Sequence, residues 1–304
     1  MKEYYAIILD LVKSTELDEN DRYQAQKKLN QSITLINKFF TGSIVKSMSF
    51  SAGDSVQGLF NNVHSACNVF YLVSNIMFPY FVRCGIGKGE INNKLISEFN
   101  SNDSNVYDGK AYHLARSGLD NAKNFNYNLF INTDSYKDFM INTLINDSSA
   151  KSMTIIQHSL YSMINIVEPI GLDTSCFLSN YLDEILNIVI DKTEYYRKSS
   201  QALTKAKKNK KYSNVIEIDI KRTLKDYEKG GLNTNKLSDI KNNSILVRNE
   251  STISSEIREF LVQITSSTSQ NIGSIIRKSN MDEMRKKDIA KLLFVRHFYG
   301  GEEL

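Results

Sequence analysis

Short apolar runs alternate with amphipathic segments along the first half of the chain, and their order limits the folds that it can adopt. Residues 4–9, YYAIIL, are aromatic or aliphatic and end at Asp10, as in a buried strand that opens a sheet. Residues 20–40 repeat apolar side chains every three or four positions, which predicts a helix. Residues 44–60 form two strand-like stretches around a Gly-Asp pair, so we expect a hairpin with Asp54 at its tip.

The remaining segments of the first half continue this alternation and indicate the fold class. They are predicted as a helix over 63–78, a strand over 81–91, a loop over 92–107, a helix over 109–124 and a strand over 128–132. The resulting β-α-β-β-α-β order is typical of the ferredoxin-like arrangement, an antiparallel sheet with helices on one face. We therefore predict an α+β fold. Because this fold hosts many functions, the site residues must indicate the activity.

Length sets the domain organisation. A chain of 304 residues suggests about two domains, at roughly 150 residues each. The pattern changes to longer helical stretches after about residue 170, where Pro169-Ile170-Gly171 is the local punctuation. We therefore predict one domain over 1–170 and a mostly helical domain over 171–304.

Composition argues against a membrane protein and against a disulfide framework. The longest apolar runs are far shorter than the roughly 20 residues that a spanning helix needs, and no signal-peptide pattern follows the first methionine. The three cysteines and four histidines are too scattered for a disulfide scaffold or a structural zinc site. We expect a cytoplasmic protein without a membrane partner.

The second half carries the positive charge and a candidate helix pair. Residues 1–170 hold 15 Lys and Arg against 16 Asp and Glu, whereas 171–304 hold 23 against 18. Residues 266–293 predict two short helices joined through Ser279-Asn280, a length that suits a helix-turn-helix. A basic face suited to phosphate contacts would lie on the second helix, with Arg285, Lys286, Lys287 and Lys291.

A plainer interpretation of this segment is a helical hairpin whose basic face is solvated, and the sequence favours it. The Lys-rich run over 205–211, KAKKNKK, is likewise typical of a solvated linker. A net charge of +5 over 171–304 leaves little surplus to hold a polyanion. Nucleic acid is therefore retained as a candidate partner but is not favoured.

Two aspartates are the residues that indicate chemistry. If the strand ending at Asp10 and the hairpin carrying Asp54 are adjacent, their carboxylates converge at one end of the sheet. Magnesium binds one or two carboxylates together with substrate phosphates and water, so this pair is a candidate divalent-metal site. The alternative is that Asp10 merely ends a strand and Asp54 merely builds a turn, as Asp often does.

Four sequence blocks, taken in their order and spacing, resemble one protein family. They are YAIILDLVKSTEL at 5–17, SAGDSVQGLF at 51–60, VRCGIGKGEI at 82–91 and YDGKAYHLARSGLDNAK at 107–123. The combination is similar to the SatD family and, more distantly, to the class III nucleotidyl cyclases, which make cyclic AMP or cyclic GMP. The likeness implies a cyclase-type sheet for the first domain and does not extend to the second.

The resemblance also implies a metal-dependent nucleotide site. By it, Asp10 and Asp54 would bind two Mg²⁺ or Mn²⁺ ions, and Leu11 would offer its backbone carbonyl. The backbone amides from Leu11 through Thr15, which include those of Ser14 and Thr15, would face the phosphates of a nucleoside triphosphate. The start of a helical turn suits phosphate because its N–H groups point outward without intrahelical partners.

Further site residues implied by the resemblance lie in the later blocks. His113 and Arg116 would come from the partner chain of a homodimer and stabilise the charge that develops in the transition state. Lys88 is a phosphate candidate by position, although a solvated turn lysine is the favoured interpretation. The glycines around it, in the run over 85–89, permit either a close backbone approach or a tight β-turn.

The chain departs from the cyclase pattern at three positions. His113 stands four residues after Gly109, where cyclases carry an Asn, and Arg116 follows after three residues instead of four. Met48 occupies the position of the Lys that reads the base in adenylate-specific cyclases, so the base stays unassigned. Alternatively, His113 caps its helix or packs in the core, and Arg116 pairs with Asp120 four residues on.

Two functions follow from these residues. The first is a magnesium-dependent nucleotidyl cyclase-like enzyme, in which the 3′-hydroxyl of a nucleoside triphosphate attacks the α-phosphorus and pyrophosphate leaves. The second is a catalytically altered nucleotide sensor whose C-terminal helices bind DNA or a protein. Retention of two carboxylates that would repel each other favours the enzyme. Loss of the cyclase Asn and of the base-reading Lys favours the sensor.

Overall fold

A computed structural model provides the fold of the chain. It describes residues 2–51, 53–91, 108–125, 128–133, 139–141, 155–167, 253, 255–265 and 267–299. The chain divides into two compact units, one holding the strands and the first helices, the other holding the later helices. The boundary predicted near residue 170, the loop over 92–107 and the Lys-rich run over 205–211 lie outside the described residues.

The first unit contains a six-stranded sheet with its first strand in the interior. The strands are β1 Tyr4–Leu11, β2 Ile44–Phe50, β3 Val56–Phe60, β4 Val82–Gly89, β5 Leu129–Thr133 and β6 Phe139–Ile141. They lie in the order β2-β3-β1-β4-β5-β6, and every neighbouring pair is antiparallel except β4 and β5, which are parallel. The α+β class is confirmed, whereas the predicted antiparallel sheet is corrected to a mixed one.

Helices cover both faces of this sheet, not one face as predicted. Helices α1 (Glu19–Phe39) and α2 (Val63–Met77) pack on each other, and α2 lies on the face of β4 that carries Cys84. Helix α3 (Lys110–Phe125) lies against Gly85, the next residue of β4. Because successive residues of a strand face opposite sides, α3 lies on the other face from α2.

Glycines of β4 allow α3 to lie directly on the sheet. A Cβ atom at Gly85 would come within 2.0 Å of the Ala115 carbonyl oxygen, and one at Gly87 within 2.2 Å of the Ala111 carbonyl oxygen. Both distances are far below van der Waals contact, so only glycine permits this packing. Of the two interpretations of the Gly-rich run, the close backbone approach is confirmed. The tight turn is wrong because the run lies within a strand.

Polar side chains determine where α1 and α2 begin. The Asp18 carboxylate accepts a hydrogen bond from the backbone N–H of Asp21 at 2.8 Å, and the Asn62 side-chain oxygen accepts one from Ser65 at 2.7 Å. These side chains satisfy N–H groups that the first turn of a helix leaves without an intrahelical acceptor. Both predicted helices are confirmed to within one residue at each end.

Four helices make up the described part of the second unit. They are α4 Ile155–Val167, α5 Ser255–Thr265, α6 Ser269–Lys278 and α7 Met281–Tyr299. Helix α5 packs against both α4 and α6, and α6 contacts α7. The last two helices meet at Ser279 and Asn280, where the sequence pattern places their junction, and Asn280 adopts a left-handed backbone with φ 50°. None of the helices in the described ranges has the length and apolar character to cross a membrane.

Two residues of the predicted basic face are buried, with Arg285 3% and Lys286 7% exposed. Nη1 of Arg285 donates to Oδ1 of Asn165 at 2.7 Å, and Nζ of Lys286 lies 2.9 Å from Oε1 of Glu283. The packed side of α7 repeats at helical spacing and includes Met281, Met284, Arg285, Asp288 and Leu292. The prediction that Arg285 and Lys286 present a phosphate-contacting face is therefore wrong. A DNA-binding role for the helix pair stays a prediction.

Candidate functional site

Asp10 lies near the end of β1, and a lysine holds its carboxylate. In the register of β1 with β4, Ile8 is opposite Gly85, so Asp10, two residues on, faces the side that α3 covers. Oδ2 of Asp10 is 2.7 Å from Nζ of Lys123, and the Asp10 side chain is 18% exposed. Lys123 lies in the last turn of α3, so the end of this helix reaches the end of β1.

Asp54 lies in the connection between β2 and β3, as predicted. Gly53 immediately before it adopts a left-handed backbone with φ 62°, which glycine tolerates without strain. The turn is closed by the backbone N–H of Ser51, which donates to the Ser55 carbonyl at 2.9 Å. Oδ2 of Asp54 is buried and has no hydrogen-bond partner among the residues that the structure describes. A buried carboxylate oxygen without a donor is costly, so this atom requires explanation.

The two aspartates come from adjacent strands at the same end of the sheet. Leu9 pairs with Val56, and the Ser55 hydroxyl donates to the Leu9 carbonyl at 3.3 Å. Asp10 follows Leu9 on β1, and Asp54 lies in the turn two residues before Val56, where β3 begins. The sequence alone left open whether these two strands are adjacent, and the structure shows that they are.

A short helical turn follows β1 and is stabilised from α1. The turn spans Ser14–Glu16, and Lys13 before it adopts a left-handed backbone with φ 59°. The Arg22 guanidinium donates to the carbonyl oxygens of Ser14 at 3.1 Å and Thr15 at 3.4 Å. Arg22 therefore binds the carbonyl side of this turn. The first N–H groups of the turn, which have no acceptor within it, lie at its other end.

Not every amide implied for the triphosphate is available. The backbone N–H of Val12 donates to the Phe81 carbonyl at 2.8 Å, so it continues the β1–β4 pairing. Leu11 is a buried residue of β1, 4% exposed. The amide set from Leu11 through Thr15 therefore loses Val12, and the phosphate role of Ser14 and Thr15 stays a prediction.

His113 lies at the opposite end of α3 from the aspartates. Nε2 of His113 is 2.8 Å from Oδ1 of Asp108, and both side chains are 73% exposed, so the interpretation of His113 as a core residue is wrong. Ten residues separate His113 from Lys123, about 15 Å of helix. Within one chain the structure therefore does not bring His113 to Asp10.

Arg116 is an exposed residue one turn into α3. The predicted i,i+4 pair is not formed: the structure describes the side chains of both Arg116 and Asp120, and no ion pair joins them. This leaves the guanidinium on the surface of α3. Its role toward a substrate stays a prediction.

Lys88 lies at the other end of the sheet from the aspartates. It pairs with Tyr5 in the β1–β4 register, five residues before Asp10 on β1, which is about 17 Å along the strand. Nζ of Lys88 is 3.0 Å from Oε2 of Glu3. Lys88 therefore belongs to a strand and an ion pair, so the interpretation as a solvated turn lysine is wrong. Its phosphate role stays a prediction.

Lys123 is the site residue that the sequence analysis missed. It lies inside the last of the four resembling blocks, but no motif position assigns it a role. One signal was present, since a cation in the last turn of a helix is favoured by the helix dipole. Its contact with Asp10 depends on the antiparallel packing of α3 on β4, which spacing along the chain does not reveal.

A divalent cation is compatible with these residues. No group of three or more His, Cys, Asp or Glu side chains is placed to hold a metal within the ranges that the structure describes. Mg²⁺ needs only one or two carboxylates when phosphates and water complete its shell. The unpartnered oxygen of Asp54 beside the strand that carries Asp10 suits such a cation. The fit is therefore to a metal that arrives with a phosphate ligand.

Comparison with protein families agrees with the first resemblance. The model of the SatD family matches residues 4–210, which is more than half of the chain. This protein belongs to the SatD family. A search of curated proteins finds no match to it.

The SatD match covers the whole candidate site. Asp10, Asp54 and Lys123 lie inside the matched range, as does the α3 segment with His113 and Arg116. Helices α5, α6 and α7 lie beyond it. The matched range therefore contains all the described strands of the sheet unit together with α4 of the helical unit.

Proposed function

We propose that the sheet unit binds a nucleoside triphosphate with Mg²⁺ or Mn²⁺ and acts as a nucleotidyl cyclase-like enzyme. The observation that carries the proposal is the buried Oδ2 of Asp54, which has no hydrogen-bond partner among the described residues, in the turn that leads into the strand paired with β1, the strand of Asp10. A fold that keeps such an oxygen without a donor loses free energy unless a cation compensates for it. The alternative interpretation of Asp54, a turn-building residue, does not explain this atom.

The arrangement of the strands supports a ferredoxin-like, cyclase-type sheet, which we infer for this unit. Four of the strands lie in the order β2-β3-β1-β4, and the three pairs among them are antiparallel. This is the order expected when two β-α-β halves interleave. In such a sheet the end of β1 and the tip of the β2–β3 hairpin lie together, which is where the two aspartates are.

In the proposed reaction, the 3′-hydroxyl of the nucleotide attacks the α-phosphorus, and pyrophosphate leaves. Divalent metal supplies charge neutralisation at the phosphates and activation of the attacking oxygen. The chain contributes Asp10 and Asp54 as ligands, and the amides of Ser14 and Thr15 as donors toward the triphosphate. His113 and Arg116 stabilise the charge that develops on the phosphate oxygens.

We further propose that the active form is a homodimer. In one chain His113 is about 15 Å along α3 from the residue that contacts Asp10. A symmetric dimer can combine the aspartates of one chain with His113 and Arg116 of the other. Mixing an Asp10→Ala chain with an Arg116→Ala chain should then restore part of the activity that neither has alone. Absence of rescue in demonstrated mixed dimers would place all groups in one chain.

Incubation of the 304-residue chain with each of the four ribonucleoside triphosphates and Mg²⁺ or Mn²⁺ tests the activity directly. Mass spectrometry identifies the products, and we expect a cyclic mononucleotide together with pyrophosphate. Asp54→Asn should remove the activity, whereas Asp120→Asn, an exposed residue of α3 with the same change of charge, should retain it. Binding of nucleotide without any product would contradict the enzyme.

A nucleotide sensor is the second candidate, and two observations favour it. Lys123 already forms an ion pair with Asp10. His113, which occupies the position of the cyclase Asn, lies 2.8 Å from Asp108. For a sensor, the same incubation gives metal-dependent nucleotide binding and no turnover, and Asp54→Asn removes the binding. The two candidates therefore separate on product formation and share the same site.

A further inference from the structure

We propose that Lys123 is an internal cation of the candidate site: its ammonium occupies the Asp10 carboxylate when no metal is present and transfers to the triphosphate when metal and nucleotide bind together. The inference rests on the proposed nucleotide and metal site. To that site it adds Lys123, a residue to which the resemblance gives no role, and a coupling between binding of the metal and binding of the nucleotide. The observation behind it is the 2.7 Å contact between Nζ of Lys123 and Oδ2 of Asp10.

The contact has the geometry of a strong, partly shielded ion pair. A distance of 2.7 Å lies at the short end of the range for charge-assisted hydrogen bonds between an ammonium and a carboxylate. The Asp10 side chain is only 18% exposed, so solvent screens this pair less than a pair on the open surface. In the absence of metal, the lysine therefore satisfies a carboxylate that would otherwise be left with little solvent.

The same contact opposes a metal ion. Mg²⁺ binds carboxylate oxygens at about 2.0–2.1 Å, so an ammonium on the same carboxylate would lie within a few ångströms of a divalent cation. Two cations at this separation repel in a partly buried site. Metal alone should therefore bind weakly, because it must first displace Lys123 from Asp10.

Lys123 can move without disturbing the fold. Its side chain is 42% exposed and is a flexible four-carbon stem on the last turn of α3. The helix C-terminus favours a cation there, which stabilises the ammonium at that position after it leaves Asp10. A compact ammonium beside metal-bound phosphates is a suitable partner for the phosphate oxygens that the metal does not contact.

These steps predict that metal and nucleotide bind cooperatively, with Lys123 as the coupling residue. Nucleotide offers the displaced ammonium a new anionic partner, so each ligand raises the affinity for the other by the same factor. Arg83, the cross-strand neighbour of Asp10, keeps a second positive residue nearby. The effect of removing Lys123 alone is therefore partial.

The test measures Mn²⁺ binding to the 304-residue chain by electron paramagnetic resonance, with and without nucleoside triphosphate. Lys123→Met keeps the apolar stem and removes the charge. We expect it to tighten binding of Mn²⁺ alone by roughly fivefold and to weaken binding of nucleotide in the presence of Mn²⁺ by about tenfold, within the usual range of coupling between sites. Lys123→Arg, which keeps the charge, should behave like the wild type in the metal-only titration.

Lys27→Met is the matched control, because Lys27 is an exposed lysine of α1, on a helix that packs with α2 away from α3. It should change neither titration. Suppose that the wild type binds Mn²⁺ and that Asp54→Asn removes this binding. If Lys123→Met then binds Mn²⁺ no more tightly than the wild type, the role of Lys123 is overturned and the proposed function stays intact. Absence of Mn²⁺ binding in every variant, with or without nucleotide, overturns both proposals.

Discussion

Both units contain buried side-chain atoms that lack a hydrogen-bond partner in the described part of the chain, such as Oγ of Ser162 in the helical unit, but the groups around these atoms differ. In the helical unit the Tyr161 hydroxyl donates to Oδ2 of Asp288 at 3.0 Å, and Arg285 donates to Asn165 at 2.7 Å, so α4 and α7 are joined by paired groups. In the sheet unit Oδ2 of Asp54 is not paired with any of the residues that the structure describes. The first arrangement joins two helices, whereas the second contains a carboxylate oxygen that the proposed cation would compensate.

The electrostatics of Tyr161 agree with a structural role for the helical cluster. Burial raises the pKa of this hydroxyl well above its usual value, and the negative charge of Asp288 raises it further. The hydrogen bond with Asn165 and the positive charge of Arg285 act in the opposite direction. Tyr161 therefore remains a protonated donor near neutral pH.

The comparison predicts that removing a charge from the helical cluster has the largest effect on stability. Arg285→Leu takes away the donor of Asn165 and a buried cation near Asp288, and breaking such a buried network costs about 3 kcal/mol. Urea unfolding followed by circular dichroism measures the loss. Arg277→Leu, an exposed arginine of α6, is the control and should change stability by less than about 0.5 kcal/mol. Equal midpoints for the two variants would show that the cluster is not structural.

In the sheet unit, stability should be most sensitive to changes where the backbone of α3 packs directly on the backbone of β4. Gly87→Ala forces a Cβ against the Ala111 carbonyl, 2.2 Å away, and overpacking of this kind costs about 2 kcal/mol or more. Gly273→Ala in α6 is the matched control because a Cβ there meets nothing within 4 Å. It should stabilise the protein by up to about 1 kcal/mol, as expected for Gly→Ala inside a helix. Effects of the same sign at both positions would contradict the packing of α3 on β4.

Asp54→Asn should separate function from stability in the sheet unit. The amide removes a negative charge whose oxygen has no donor, so the unfolding free energy should stay within about 1 kcal/mol of the wild type. Binding of Mn²⁺ in the presence of nucleotide should be lost. Thermal unfolding and metal titration on one preparation give both values. A variant that fails to fold would instead support the interpretation of Asp54 as a turn residue.

The local pattern was enough to predict most elements of the sheet unit, though not β6 or the short turn Ser14–Glu16. Apolar spacing gives α1 and α2 nearly residue by residue, and the Gly-Asp pair gives the hairpin that carries Asp54. The parallel pairing of β5 with β4 and the position of α3 on the second face depend on contacts between distant segments. Those contacts leave no periodic signal in the chain.

The candidate site shows the same limit. Asp10 and Asp54 were candidates because carboxylates after a strand and in a hairpin can bind metal, and the family resemblance is what gave them that role. Lys123 was missed because its contact with Asp10 depends on where the end of α3 packs on the sheet. Arg285 was misplaced for a related reason: a basic residue on an amphipathic helix is usually solvated, and only its packing against Asn165 shows that it is buried.

The smallest effect that we predict concerns two buried thiols that lie between α2 and β4. Burial raises the pKa of the Cys67 and Cys84 thiols, and the second is raised further by its proximity to the first. Thiolates are the reactive form, so neither residue should be alkylated in the native protein near neutral pH. Iodoacetamide treatment followed by peptide mass spectrometry should find both unmodified until urea unfolds the chain. Rapid native alkylation of Cys84 would contradict the packing of α2 on the sheet.

The same two thiols predict how stability responds to alkaline pH. In the unfolded chain a cysteine ionises as the pH rises above about 8.5, whereas the buried thiols keep their protons. The folded state then binds more protons than the unfolded state, so stability is constant below that pH and falls above it. Each thiol contributes a loss of up to about 1.4 kcal/mol per pH unit. Urea midpoints at pH 7, 8.5 and 9.5 for the wild type and Cys67→Ala measure this slope. The variant should show the smaller slope, because one buried thiol has been removed, and equal slopes would show that Cys67 is not held protonated by the fold.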